Sequence, residues 1–174
     1  METERLKLRL INEEDANFLF RLMNTEKWHL NIGDRNITSD ERAREYMNSR
    51  MSPVLEEKGF INHVMIEKKS GDPVGTCSIH DRNGVDGLDI GYALLSEFEG
   101  LGYATEGALM MVKVAFERFE QEEISAITTD NNTVSCKVLD RLGFRHQSYI
   151  KLPDGNEELK LYTLGRKEFE ERSN

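Results

Sequence analysis

Two glycines separated by a single residue, Gly100 and Gly102, stand just before a long run of helix-forming residues. The first amides of a helix lack intrahelical acceptors and carry a partial positive charge, and a glycine there lets an anion approach without a Cβ in the way. The chemistry this spacing supports is phosphate binding by the main chain. Its plainer alternative is a tight strand-to-helix turn. No Gly-Lys-Ser/Thr follows, so this is not a nucleoside triphosphate loop, and the third glycine of a dinucleotide fingerprint would fall at Thr105.

Other reactive side chains are scattered. Cys77 and Cys136 form no CxxC pair, and His29, His63, His80 and His146 form no HxH or HExxH pair, so neither a disulfide framework nor a bound metal is expected. Cys136 has no histidine in its local sequence to activate it and is expected to be buried and inert.

The elements that must position the glycine loop follow from periodicity. Residues 5–11 alternate charged and apolar side chains, the period of a half-buried strand. Asn12 caps a helix to Met23 with Ala16, Leu19, Phe20 and Met23 on one face. Trp28 and His29 fall in a loop, and Thr38 with Glu41 predicts a capping box for a helix bearing Ala43, Tyr46, Met47 and Met51. Residues 60–67 and 73–81 read as a hairpin turning at Ser70-Gly71-Asp72, and 88–95 as a further strand. The helix after the glycine loop has Ala104, Ala108, Met111, Val112, Ala115, Phe116 and Phe119 on its apolar face. Residues 124–129 form a strand, and Asn131 or Asn132 caps a short helix with Val134, Val138 and Leu142, ended by Gly143. Strands at 144–150 and 157–164 turn at Pro153-Asp154-Gly155, and the acidic tail from Lys167 to Asn174 is expected to be a solvated end. Mostly antiparallel strands with helices between them make an α+β or mixed α/β sheet.

The chain has 174 residues with a net charge of -9, enough for one hydrophobic core and the wrong sign for nucleic-acid backbones. A single domain over residues 1–174 is expected, with no nucleic-acid partner. The apolar stretch Ala108–Phe119 is interrupted by Lys113 and Glu117, and the start METERLKLRL has no apolar block, so neither a membrane span nor a signal peptide is expected and the cytoplasm is the expected location.

The string DIGYALLSEFEGLGYATEGALMMVKVAF closely resembles the acetyl-CoA-binding segment of the GNAT superfamily of N-acetyltransferases. TERLKLRLINEEDANFLFRLM, NIGDRNITSDERAREYM, GTCSIHDRNG and NNTVSCKVLDRLGF resemble, in the same order, the RimJ/RimL branch that acetylates ribosomal-protein N-termini. The resemblance implies a GNAT fold, a twisted, mostly antiparallel sheet of about six to seven strands flanked by helices and splayed at the acetyl-CoA cleft. It implies that the backbone of Leu101, Gly102, Tyr103 and Ala104, with the Thr105 hydroxyl, holds the diphosphate of coenzyme A. The pantetheine arm would pair with Ala93, Leu94 and Leu95, where a bulge would splay this strand from the Ile124 strand. Glu99 stands where the family usually carries Gln or Arg, and is expected to point to solvent.

Many relatives protonate the leaving thiolate with a tyrosine at the position held here by Leu139. Ser135 matches the serine that this branch carries one turn after the asparagine, and the resemblance makes it the expected hydrogen-bond donor to the leaving sulfur, its alternative being a bond to a nearby carbonyl. Asn132 is expected to hold pantetheine, to cap the helix, or both. Asp89 stands where relatives often carry an acid that accepts the proton through water, so the resemblance makes it the candidate base, against the commoner explanation of a solvated strand-edge carboxylate, and His80 is the substitute. An α-amine has a pKa of about 7.7 to 8.0 against about 10.4 for lysine, so a weak base favours an N-terminal amine.

The leading reading is acetyl transfer from acetyl-CoA to a primary amine, foremost a protein or peptide N-terminal α-amine, in a ternary complex. A small cationic acceptor such as a polyamine or aminoglycoside is the second, and a silent acyl-CoA-binding module the third. Trp28 and His29 either line the acceptor pocket or pack their loop onto the core. Acceptor choice is placed in the loops 28–37 and 151–156, and the sequence leaves monomer and homodimer both open.

Overall fold

The structure is a computed structural model and describes residues 1–153, 155 and 157–173. Asp154, Asn156 and Asn174, which belong to the expected turn, acceptor loop and tail, lie outside the described residues.

Among the described residues seven strands form one sheet in the order β1-β2-β3-β4-β5-β7-β6. These are β1 (Leu6–Leu10), β2 (His63–Glu67), β3 (Pro73–His80), β4 (Leu88–Leu94), β5 (Glu123–Thr129), β6 (Arg145–Ile150) and β7 (Leu159–Gly165). The pairings of β1 with β2, β2 with β3, β5 with β7 and β6 with β7 are antiparallel; β4 with β5 is parallel, over just Leu88↔Ile124 and Asp89↔Ser125. The helices are α1 (Ala16–Met23), α2 (Glu26–Asn31), α3 (Asp40–Tyr46), α4 (Ser52–Lys58), α5 (Tyr103–Glu117), α6 (Thr133–Leu142) and α7 (Arg166–Ser173). The chain divides into two compact units, Met1–Ser78 with Tyr92–Gly107, and Ile79–Gly91 with Ala108–Asn174.

In the first unit Asn12 starts the helical segment as expected: its side chain accepts from the Glu14 amide and Asp15 accepts from the Asn12 amide at 2.9 Å each. Asp15 is also held by a two-pronged bond from Arg9 at 2.7 and 2.6 Å. Leu19, Leu22 and Met23 of α1 share one buried cluster with Trp28, Ala43, Met47 and Val64.

Two expectations shift here. Trp28 and His29 lie in a helix, not a loop, because Thr25 caps it by accepting from the Trp28 amide. Trp28 is buried in the core cluster, although its indole N–H finds no acceptor among the described residues. The cap of α3 is Ser39, not Thr38: its hydroxyl accepts from the Arg42 amide at 3.3 Å. Between α3 and α4 the helix widens into a π-turn over Met47–Met51. Pro53 enters the first turn of α4, where it cannot donate to the carbonyl four residues back and its ring crowds that carbonyl, so the backbone opens ahead of it.

In the second unit α5 buries Met111, Val112, Ala115 and Phe116. Val134, expected on the apolar face of α6, is exposed; Val138, Leu139 and Leu142 are the buried residues of that helix. Gly143 ends it with φ +96°, as a left-handed C-terminal residue should. The tail is the main correction. Residues 166–173 form a docked helix, with Phe169 packed on Phe116 at 5.3 Å and the Arg166 guanidinium donating to the carbonyls of Phe116 (2.6 Å) and Gln121 (3.0 Å).

Candidate active site

The glycine loop belongs to the first unit. Gly100 and Gly102 have φ of +74° and +86°, a region that costs glycine nothing, and an added Cβ on Gly100 would meet nothing within 4 Å. The Glu99 amide donates to Ser96 and the Glu106 amide to Gly102. Among the described residues, no amide from Gly100 to Thr105 donates to a backbone carbonyl. A run of unclaimed donors at the start of a 15-residue helix, opened by glycines, fits a diphosphate in shape and sign.

Acids next to this seat are neutralised. Glu99, expected to point to solvent, is ion-paired with Lys27 of α2. Glu106 accepts from the Arg5 amide (2.8 Å), the Arg5 guanidinium (2.7 Å) and the Thr3 hydroxyl. Burial pushes the Glu106 carboxyl up, but these donors together outweigh it and hold it below the usual range. Tyr103, not Ala104, is the buried residue of the first turn, and its hydroxyl donates to Glu67. The part played by Arg5 was not legible in the sequence, where it is simply one of the charged residues of a period-two strand.

The strand before the loop has a defined facing. The Leu95 amide donates to Val74 of β3 at 2.9 Å. Backbone groups alternate sides along a strand, so Ala93 and Leu95 face β3 and Leu94 faces away from it. Of the three residues expected to pair with pantetheine, Leu94 is thus the one whose amide and carbonyl are turned outward.

In the second unit the Asn132 side chain accepts from the Ser135 amide at 3.1 Å and caps α6. Ser135 and Cys136 are half-buried in its first turn. Cys136, expected to be buried, is half-buried; burial, then the neighbouring Cys136, push the Tyr162 phenol of β7 up.

Asp89 is wholly buried, not solvated at a strand edge, and both its oxygens accept from Arg82 Nε at 3.0 and 2.9 Å. Such a carboxylate holds Arg82 in place. Burial pushes its pKa up to about 6 and Arg82 opposes the rise. Burial, then Arg82, also push His80 down, to about 3.

The Asp89 shift has a measurable consequence. Between the ordinary 3.8 and about 6 the folded chain binds a proton that the unfolded chain has lost, so stability falls as pH rises through this window. Asp89→Asn is expected to flatten that slope, which amounts to about 2–3 kcal/mol. Urea unfolding at pH 4 and pH 7.5 measures it, and equal slopes in the two proteins would refute the assignment.

Among the described residues no group of three or more His, Cys, Asp or Glu is arranged to hold a metal ion, and no helix is long and apolar enough to cross a membrane.

The acetyltransferase (GNAT) domain model matches residues 5–145. A relative, the uncharacterized N-acetyltransferase YoaA of Bacillus subtilis, is 24% identical over 87% of this chain and 85% of its own. Among solved structures, RimL, a ribosomal L7/L12 alpha-N-protein acetyltransferase in complex with coenzyme A, superimposes with TM-score 0.78 at 18% identity, over 95% of this chain and 97% of its own. An aminoglycoside acetyltransferase in complex with coenzyme A gives 0.79 at 19% identity, over 97% and 99%. Mixed seven-stranded sheet, glycine loop and helix start define a GNAT fold. The chain belongs to the GNAT acetyltransferase family and is an acyltransferase that uses acetyl-CoA.

Proposed function

We propose that the protein acetylates a primary amine, foremost the N-terminal α-amine of a protein or peptide, by direct attack on acetyl-CoA in a ternary complex. The observation that carries the reading is the run of unclaimed amides from Gly100 to Thr105 at the start of α5. Leu101, Gly102, Tyr103, Ala104 and the Thr105 hydroxyl seat the diphosphate, and Leu94, between Ala93 and Leu95, pairs with pantetheine. Asn132 orders the first turn of α6 and Ser135 donates to the departing sulfur.

The neutral amine forms the new C–N bond as the C–S bond breaks, and the proton lost from nitrogen balances the one gained by the free thiol. An α-amine, partly neutral near pH 7, asks little of a base, which suits a chain whose Asp89 is masked by Arg82. The likeness to RimL supports the N-terminal acceptor. The likeness to an aminoglycoside acetyltransferase supports a second reading, a small cationic acceptor, and the net charge of -9 suits either.

Thiol release from acetyl-CoA with peptides, polyamines and aminoglycosides tests the choice. Release with peptides alone is expected; release with aminoglycosides alone selects the second reading, and clear coenzyme binding with no release at all selects a silent module. Ser135→Ala is expected to lower kcat on the order of 10- to 100-fold, the worth of a strong bond made to developing charge. Full turnover in that variant would remove Ser135 from the reaction.

A further inference from the structure

We infer that Arg5 is the positioning residue of the coenzyme loop, fixing the Leu101–Gly102 peptide plane so that the Gly102 amide faces the diphosphate. The inference rests on the reading of residues 101–105 as the diphosphate seat.

Arg5 Nη1 donates to the Leu101 carbonyl at 2.7 Å. Among the described residues there is no cis peptide bond, and in a planar trans peptide the carbonyl and the following N–H point in opposite directions. The Gly102 N–H is thereby directed away from the guanidinium. The guanidinium is itself held: Nε and Nη2 each lie 2.7 Å from Glu106 Oε2, and its carbon lies 4.7 Å from the centre of the Tyr103 ring. Glu106 is fixed in turn by the Thr3 hydroxyl and the Arg5 amide, and Tyr103 by Glu67.

The loop needs such a clamp because of the residues that make it useful. This peptide joins Leu101 to Gly102, so turning it over changes Leu101 ψ and Gly102 φ; Gly102 already has positive φ, and glycine accepts either sign of φ at little steric cost. Rotating the plane by about half a turn would replace an amide proton with a carbonyl oxygen, which repels phosphate. The bond from Arg5 to Leu101 disfavours that alternative before the coenzyme arrives. The Arg5 side chain is 43% exposed, so its ion pair with Glu106 adds little to global stability, and its effect on binding is separable from folding.

Arg5→Met and Arg5→Lys test this, with Arg42→Met, which removes an exposed ion pair with Glu45, as the control. Arg5→Met is expected to raise KM for acetyl-CoA about tenfold, with kcat at saturation changed less than about twofold and Tm lowered by less than about 4 °C. Arg5→Lys recovers part of the loss, because an ammonium reaches one acceptor but cannot fork between two. The Gly102 amide resonance, single and shifted by coenzyme A in the wild type, is expected to broaden or split in Arg5→Met.

An unchanged KM in Arg5→Met overturns the inference. Full recovery by lysine does so as well, since it assigns the effect to charge alone. If Arg5→Met fails to fold, Arg5→Lys and Glu106→Gln carry the test, and an unchanged KM in both overturns it equally. The underlying reading fails separately: the wild type would then show no heat of coenzyme A binding and no shift at Gly102, whatever the variants do.

Discussion

Replacing Gly102 with valine is expected to weaken coenzyme A binding by about two orders of magnitude while leaving a folded protein. Gly102 sits at φ +86°, where a β-branched residue is strained by about 1–3 kcal/mol, and its Cβ would lie 3.2 Å from Arg5 Nη2. The chain relieves both by rotating the neighbouring peptides, which turns the amides away from the place where phosphate oxygens must sit. Gly100→Ala isolates the conformational cost, because its φ is +74° but a Cβ there meets nothing within 4 Å; about tenfold weaker binding is expected. Calorimetry with coenzyme A, beside a thermal melt of each variant, reads both effects. A valine variant that binds like the wild type would show that the diphosphate is held somewhere else.

The second large effect is on folding. A Cβ on Gly75 would lie 2.2 Å from the Ala93 carbonyl oxygen, 2.6 Å from Leu94 Cδ2 and 3.0 Å from Leu94 Cα. Two of these atoms are backbone and cannot swing aside, so Gly75→Ala must push β3 away from the end of β4 and stretch the bond from the Leu95 amide to Val74. A loss of about 3–4 kcal/mol is expected, or roughly 10 °C in Tm for a chain of this size. Gly71→Ala is the reference, because Gly71 has φ +81° with nothing within 4 Å, and a loss of about 1 kcal/mol is expected there. Denaturant unfolding ranks the two; a Gly75 variant no less stable than the Gly71 variant would contradict the close approach. The same substitution disturbs Leu94, so weaker coenzyme binding should accompany any Gly75 variant that still folds.

Elements were legible where one local rule sufficed. Period-two alternation marked β1, Asn12 and Asn132 marked helix starts, and Gly143 marked a helix end. The glycine loop was legible because helix-start amides and positive φ follow from residue type alone. The failures had non-local causes. The six residues of α2 are too few to show a period, and Ser39 outcompeted Thr38 for a cap that either could supply. The charged tail concealed a helix whose reason to form is Phe116, over fifty residues earlier in the chain, against which Phe169 packs. Asp89 reads as a surface acid in the sequence, and only the fold lays Arg82 Nε across both its oxygens. Arg5 could not be linked to Glu106 and Leu101 by any spacing, because about a hundred residues separate them.

The π-turn at Met47–Met51 marks the place where this polypeptide has already absorbed one surplus residue. A residue added to a regular helix turns everything downstream by about 100°, but a π-turn takes up the extra residue in one wide turn, so Met51 and Leu55 stay on the stripe begun by Ala43 and Met47. No side chain of α4 is fully buried, and Leu55 is the one packed against the core cluster. Deleting one position there would restore an ordinary helical repeat and leave Leu55 facing the core, whereas the same deletion inside α1 would scramble a tightly packed face. Length variation by a single codon is therefore better tolerated between Met47 and Ser52 than in any other helical stretch of the first unit.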